Sequence, residues 1–291
     1  MALNRADTLQ RRGKYPPPEG ASPILGLEIA GKVAGRGSKV TKWEKGDRIF
    51  GLLPGGGYAE YAVIHQDMAL PVPDGFSMEE AAAIPEVFLT AFQSLSWHAD
   101  LKKGETVLIH AGASGVGTAG IQLAKEMGAK VLVTASKQKH QLCLDLGAEA
   151  AIDYHDGPFE KPVLEATDGK GVDVIIDFIA APYLQQNINC LRTDGRLILL
   201  ATLGGVKVEQ LNMGAILFKR LSIIGSTLRS RSSDYQIRLT KDFGDFTLER
   251  FRNGHLKPVV DRVFDWTEVT AAHQMMESNK NQGKIVLKIG K

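Results

Sequence analysis

The run Val107-Leu108-Ile109-His110-Ala111-Gly112-Ala113-Ser114-Gly115-Val116-Gly117, followed at once by a helical pattern over residues 118–125, constrains this chain more than any other stretch. An apolar strand, a glycine turn and a helix start bring unpaired backbone N–H groups and a positive dipole end to one point, where a pyrophosphate can sit. Glycine is needed because a Cβ would hold the backbone off the phosphates and the helix off the strand. The spacing is G-x-x-G-x-G, not the commoner G-x-G-x-x-G, so the triplet alone is weak; its place between a strand, a helix and a further strand strengthens it.

The pattern around this loop predicts an α/β chain. Strands are expected at 106–111, 130–135, 150–154, 172–176, 195–200 and 222–226, with helices between them, notably at 116–127 and 137–146. Such alternation marks a doubly wound parallel sheet covered by helices, of roughly 140 residues. Before it, 27–34, 47–53 and 58–64 read as short strands between Gly- and Pro-rich joints, and 78–84 and 89–97 carry apolar residues at helical spacing. After Arg231 come a helix, a strand at 259–264, a helix through Met276 and a closing strand at 284–289. The expected division is a dinucleotide-binding domain over 85–227, inserted between two pieces, 1–84 and 228–291, of an irregular β domain.

Lys and Arg number 35 against 33 Asp and Glu, a formal charge of +2. This balance gives no electrostatic case for a dedicated nucleic-acid or membrane-surface binder. At 44% hydrophobic and 23% charged, the chain has the composition of an ordinary globular protein. Cys143 and Cys190 are too few for a disulfide scaffold and read as buried thiols in a reducing, cytoplasmic setting. No run approaches the roughly eighteen apolar residues of a membrane span. Arg5, Arg11, Arg12 and Lys14 do not make a presequence, since Asp7 interrupts them and Tyr15-Pro16-Pro17-Pro18 cannot be helical.

The second strand of the expected sheet bears on which dinucleotide is bound. An NAD site usually offers an acidic residue about twenty positions after the loop, for the ribose 2′-hydroxyl. Between Met127 and Leu144 there is none; the strand end reads Thr134-Ala135-Ser136-Lys137-Gln138-Lys139-His140. A hydroxyl and ammonium groups there suit a 2′-phosphate, so Ser136 and Lys139 point to NADPH, the alternative being lysines that only solvate a helix start. A serine hydrolase is a poor reading of Gly112-Ala113-Ser114-Gly115-Val116, which lacks the last glycine of a nucleophile elbow. His110 is then expected near the cofactor at a strand end, and Ser114 in the phosphate loop.

Further segments carry a family resemblance: Ala2-Leu3-Asn4-Arg5-Ala6-Asp7, Gly26-Leu27-Glu28-Ile29-Ala30-Gly31-Lys32-Val33, Lys45-Gly46-Asp47-Arg48, Leu53-Pro54-Gly55-Gly56-Gly57-Tyr58-Ala59-Glu60-Tyr61, Ala83-Ile84-Pro85-Glu86 with Leu89-Thr90-Ala91, the glycine loop, and Gly283-Lys284-Ile285-Val286-Leu287. In order and over nearly the whole chain, these resemble the medium-chain dehydrogenase/reductases, and within them the zinc-free, zeta-crystallin-like quinone oxidoreductase branch. The resemblance implies a Rossmann dinucleotide-binding domain, a GroES-like β domain and a homodimer formed through the edge strand at 222–226. Family members carry additional strands ahead of the Leu-Asn-Arg segment, so the β domain is expected to be incomplete at its N-terminus and looser than the dinucleotide domain.

Leu27 stands where zinc-dependent members carry a histidine, and the seven histidines show no H-E-x-x-H or close pair, so no metal is expected. Without a Lewis acid, reduction of an already electrophilic acceptor, a quinone or conjugated carbonyl, is the favoured chemistry. By resemblance, Asn4 is an amide donor and Tyr15 a wall or phenolic donor to the acceptor. For the cofactor, to the loop residues Gly112, Ser114, Gly115, Val116 and Gly117 and to Ser136 and Lys139 the resemblance adds Thr90, Tyr154, Leu203, Gly204, Leu228, Arg229, Ser230 and Asn281. Leu9 replaces a second pocket tyrosine of some relatives, and Phe178-Ile179-Ala180-Ala181 replaces a usual Gly-Gly ending, which should crowd that loop. The rival readings are a catalytically weak NADPH-binding protein with a structural or regulatory part, and an enoyl-thioester reductase.

Overall fold

In the computed structural model, which describes residues 1–290, the chain divides into two units: Met1–Thr90 with the residues from Leu228 onward, and Ala91–Thr227. The first unit starts with β1 (Ala2–Leu3) and α1 (Arg5–Arg11), a helix the apolar periodicity does not announce because it is short and largely polar. Asp7 in its first turn accepts the Asn4 N–H at 2.8 Å and so closes the helix start. Next come β2 (Glu28–Lys32), β3 (Arg48–Leu52) and β4 (Ala69–Pro71), an antiparallel sheet with Ala30 opposite Phe50 and Ile49 opposite Pro71.

The expected strand at 58–64 does not form. Gly56, Gly57 and Tyr58 donate to the carbonyls of Ile24, Gly26 and Leu25, and beyond them no strand runs alongside among the described residues. A strand without a ladder leaves its backbone groups to solvent, and here Tyr61 and Val63 are 77% and 94% exposed. Tyr61, Val63 and Ile64 instead line an open groove with Ile29, Val33 and Val286. The helical pattern that follows gives α2 (Met78–Ala82), opened by a reciprocal Ser77–Glu80 capping box, and α3 (Pro85–Phe92), with proline at its first position.

The second unit is built on β5 (Thr106–Ile109), α4 (Gly115–Glu126), β6 (Lys130–Thr134), α5 (His140–Asp145), β7 (Ala150–Ile152), α6 (Glu160–Glu165), β8 (Val172–Asp177), α7 (Leu184–Cys190), β9 (Leu191–Leu199), α8 (Met213–Phe218) and β10 (Ser222–Gly225). All six strands are parallel, in the order β10-β9-β8-β5-β6-β7. The chain therefore winds outward twice from β5, first toward β7 and then toward β10. This is a Rossmann sheet with its switch point at the carboxyl end of β5. Its core holds Leu108, Leu132, Phe159, Val163, Ile175 and Leu197, as well as Cys190; Cys143 is likewise a buried free thiol.

Back in the first unit, α9 (Ser233–Arg252), β11 (Val260–Asp265), α10 (Val269–Glu277) and β12 (Lys284–Lys288) complete the chain. β12 lies between β1, antiparallel to it, and β11, parallel to it. Leu3, Phe264, Met276, Ile285 and Leu287 pack there, tying the first strand of the unit to its last. None of the described helices is long and apolar enough to cross a membrane.

Candidate active site

In the second unit the site grows from the turn after β5. Ala111 holds a left-handed φ of +50°, and Gly112 donates to the Thr134 carbonyl at 2.9 Å. A Cβ on Gly112 would lie 2.6 Å from the Val133 Cβ, and one on Gly117 only 2.4 Å from the Ala111 oxygen. These two glycines are thus required by the close packing of turn, helix and sheet. Ser114 caps α4, its Oγ accepting the Gly117 N–H at 3.1 Å. The N–H groups of Gly115 and Val116 precede the first intrahelical donor, the Thr118 N–H bonded to the Ser114 carbonyl, at the positive end of a twelve-residue helix.

His110 is wholly buried in the core, not set against a ligand as its strand-end position suggested. Its Nδ1 lies 2.9 Å from Thr134 Oγ1 and its Nε2 2.8 Å from Asn187 Oδ1, with the Phe159 and Tyr183 rings at its edges. Asn187 in turn donates to Asp177, which also accepts the N–H groups of Ile179 and Ala180. Burial lowers the His110 pKa, so the ring is a neutral brace across β5, β6, β8 and α7.

Ser136 and Lys139 follow β6, and Tyr154, 42% exposed, follows β7 with its ring on His155. The window without acids in sequence is not without them in space: Asp153 reaches over from the end of β7 and accepts the Lys137 N–H at 2.9 Å. After β9, the N–H groups of Leu203 and Gly204 donate to Phe178 and Ile179. A Cβ on Gly204 would meet Pro182 and Ile179 at 2.7 and 2.8 Å, and the facing Ala180 has φ +67°. The carboxyl ends of the strands thus gather Gly112, Ser114, Gly115, Val116, Gly117, Ser136, Lys139, Tyr154, Leu203 and Gly204 along one rim.

In the first unit the decisive feature is a buried ionic cluster. Lys284 Nζ donates to Glu28 Oε1 at 2.6 Å, to Asn4 Oδ1 at 2.6 Å and to the Leu3 carbonyl at 3.1 Å. Asn4 Nδ2 donates to the same Glu28 oxygen at 2.7 Å, and the Glu86 N–H to Glu28 Oε2 at 2.8 Å. Both ends of the Asn4 amide are therefore held inside the fold, at the residue for which the family resemblance implied a donor to the acceptor. Asp7 accepts from the Asn4 and Gly26 N–H groups, and burial pushes its carboxyl up to about 6.

Beside this cluster, Arg229 is 4% exposed. Its Nε donates to the Pro54 carbonyl at 2.7 Å, its guanidinium lies 5.5 Å from the Tyr15 ring centre, and both terminal nitrogens are buried without a partner. Burial, with the Glu86 charge next, raises the Tyr15 phenol. Burial and the nearby Glu28 push the Glu86 carboxyl up to about 8, and its Oε2 is also buried without a partner. Leu228 is buried, Ser230 exposed, Thr90 half-buried at the end of α3, and Asn281 donates to the Gly283 carbonyl.

Glu28, Glu86, Asp7 and Lys284 were not singled out by sequence as site residues. The available signal was a lone acid in the apolar run Leu27-Glu28-Ile29 and a lone lysine opening Ile285-Val286-Leu287, opposite charges that a sheet interior tolerates only as a pair.

Residues 1–74 match the alcohol dehydrogenase GroES-like domain and residues 115–242 the zinc-binding dehydrogenase family. Over 288 residues the chain is 35% identical to a quinone oxidoreductase-like protein 2 homolog of Nematostella vectensis, covering 98% of this chain and 78% of that protein. The chain belongs to the medium-chain dehydrogenase/reductase family. Among solved structures, this medium-chain dehydrogenase/reductase superposes on Escherichia coli quinone oxidoreductase complexed with NADPH with a TM-score of 0.88 at 29% identity, covering 99% of this chain and 89% of that one. CurK enoyl reductase gives 0.87 at 29% identity, with 99% and 88% covered. The chain is an NAD(P)-dependent oxidoreductase of the family. Where zinc-dependent members place a histidine it has the buried Leu27, and no group of three or more His, Cys, Asp or Glu among the described residues is arranged to hold a metal.

Proposed function

We propose that this chain is a zinc-free, NADPH-dependent reductase that transfers hydride to a quinone or a related conjugated carbonyl. The observation that carries the reading is the turn at the switch point of the sheet, where Gly112 and Gly117 leave no room for a Cβ and two helix-start N–H groups stay open. That cradle suits a pyrophosphate, and Ser136 and Lys139 beyond β6 suit a 2′-phosphate. Bound there, NADPH supplies the hydride. The protein binds and orients, and steadies the negative oxygen that the acceptor acquires. Leu27 in place of a zinc ligand argues for an acceptor that needs no Lewis acid.

A second reading, an enoyl-thioester reductase, is favoured by the likeness to CurK enoyl reductase. Steady-state NADPH oxidation with an ortho-quinone, a para-quinone and an enoyl thioester separates the two. Turnover of the quinones is the expected result. Turnover of the thioester alone replaces the reading with the second, and NADPH binding without any turnover would make the chain a structural or regulatory protein.

The same reading includes a cytoplasmic homodimer. β10 is the outer strand of its sheet, and Met213, Leu217 and Phe218 beside it are 64%, 72% and 81% exposed. An apolar patch on a strand edge is a surface for a second copy, and a monomer by light scattering would remove this part of the reading.

A further inference from the structure

We propose that Arg229 and Glu86 form the polar end of the acceptor pocket, Arg229 binding the acceptor oxygen that turns negative and Glu86 delivering its proton. The inference rests on the hydride-transfer reading above. It starts from an imbalance inside the first unit. A buried guanidinium ordinarily has its donors satisfied, because leaving a charged group without partners is among the costlier defects a fold can carry. Arg229 is sealed from solvent, yet only its Nε is bonded, to Pro54, while both terminal nitrogens have no partner. The Tyr15 ring lies 5.5 Å from the guanidinium, and the Gly55 backbone packs so close to Nη2 that a Cβ there would come within 3.3 Å of it. A planar fork held from behind with its front donors open is suited to an oxygen carrying negative charge.

Glu86 supplies the complementary half. Its backbone N–H is fixed by Glu28 and its Oε2 is buried without a partner. The groups around it are Glu28 on β2, Asp7 on α1, Lys284 on β12, and Arg229, with Tyr15 also sensing its charge. Burial together with Glu28 keeps its proton on at neutral pH, so it is a donor and not a base. The step balances. Hydride from NADPH forms a C–H bond at the electrophilic carbon, and the displaced π pair moves to the carbonyl oxygen. The acceptor gains two electrons as NADPH becomes NADP⁺. The O–H bond of Glu86 then breaks, its pair stays on the carboxylate, the proton goes to the acceptor oxygen, and the carboxylate is reprotonated from water.

The test uses the full chain with 4-nitrophenolate, an oxyanion whose absorbance reports ionisation and binding without cofactor, alongside quinone reduction by NADPH. Arg229→Met is expected to weaken 4-nitrophenolate binding about tenfold or more and to raise KM for the quinone, with NADPH affinity unchanged and Arg229→Lys intermediate. Glu86→Gln is expected to lower kcat with little change in KM, and to abolish the fall in kcat that the parent shows as pH rises through about 8. If Arg229→Met binds 4-nitrophenolate normally, or loses NADPH instead, the assignment of the guanidinium is overturned. A Glu86→Gln variant with the parent's rate and pH profile overturns the proton donor. Failure of the parent to reduce any quinone defeats the hydride-transfer reading itself, and the phenolate measurement still decides whether Arg229 binds an oxyanion.

Discussion

Lys284 Nζ and Glu28 Oε1 lie 2.6 Å apart with side chains 3% and 0% exposed, so the closing strand of the first unit is fastened to β2 by an ion pair without solvent. Removing one partner of such a pair leaves an uncompensated charge in a low-dielectric interior. Lys284→Met should therefore cost about 3–5 kcal/mol of stability, read as a fall in the urea midpoint. The double variant Glu28→Leu with Lys284→Met should lose clearly less than the two single losses summed. Strict additivity would mean that the pair is not the unit it looks.

In the phosphate loop, Gly117→Ala places a Cβ 2.4 Å from the Ala111 oxygen and 2.5 Å from the Gly112 oxygen. Backbone has to move to relieve it, and the backbone in question holds the open N–H groups. The variant is expected to lose about 1–3 kcal/mol of stability and to bind NADPH at least about tenfold more weakly, measured by nucleotide fluorescence on protein whose circular dichroism is unchanged. Unaltered affinity would move the nucleotide elsewhere.

Lys139→Ala tests the choice of nucleotide. A lysine bonded to a 2′-phosphate contributes a charge-assisted contact, so KM for NADPH should rise about 10- to 100-fold while KM for NADH stays put. Equal changes for both would assign Lys139 to general electrostatics. Asp153, tied to the Lys137 N–H and to His155, is the acid that could moderate this preference, and Asp153→Asn is expected to favour NADPH further.

Ala180 sits at φ +67°, and its N–H is bonded to Asp177. The left-handed region penalises a Cβ, so Ala180→Gly should raise stability by about 1 kcal/mol, visible as a higher melting temperature. The Leu203 and Gly204 N–H groups bond to the Phe178 and Ile179 carbonyls and not to Ala180, so turnover should not fall.

The parallel sheet was legible because β5, β6, β7 and β8 are apolar over most of their length and are followed by glycine, proline or a helical pattern. Periodicity reports such burial directly. The strand expected at 58–64 failed for the opposite reason: alternation shows which side chains prefer burial, not whether a neighbour is present to pair with them. His110 was misplaced because a strand-end histidine looks like a ligand until Thr134 and Asn187, distant in sequence, are brought to its two nitrogens. The rim of the second unit could be read because a glycine turn needs local geometry alone. Arg229 was visible as part of a motif, but its open nitrogens, and the proton on Glu86, depend on segments far apart in sequence that meet around them, among them those of Asp7, Tyr15, Glu28, Pro54 and Lys284.

That proton has a signature in stability. Burial and Glu28 hold the Glu86 carboxyl at about 8, against 4.5 for the unperturbed group. Between these values the folded chain keeps a proton that the unfolded chain has lost, so the contribution is complete below about 4.5 and disappears as pH rises toward about 8. Across that window the parent should lose stability relative to Glu86→Gln, and above it the difference should level off. Asp7, pushed up to about 6, adds the same sign at lower pH in both proteins and cancels from the comparison. Unfolding free energies for the two proteins at several pH values from 5 to 9 provide the check. Parallel curves would show that Glu86 ionises normally in the fold.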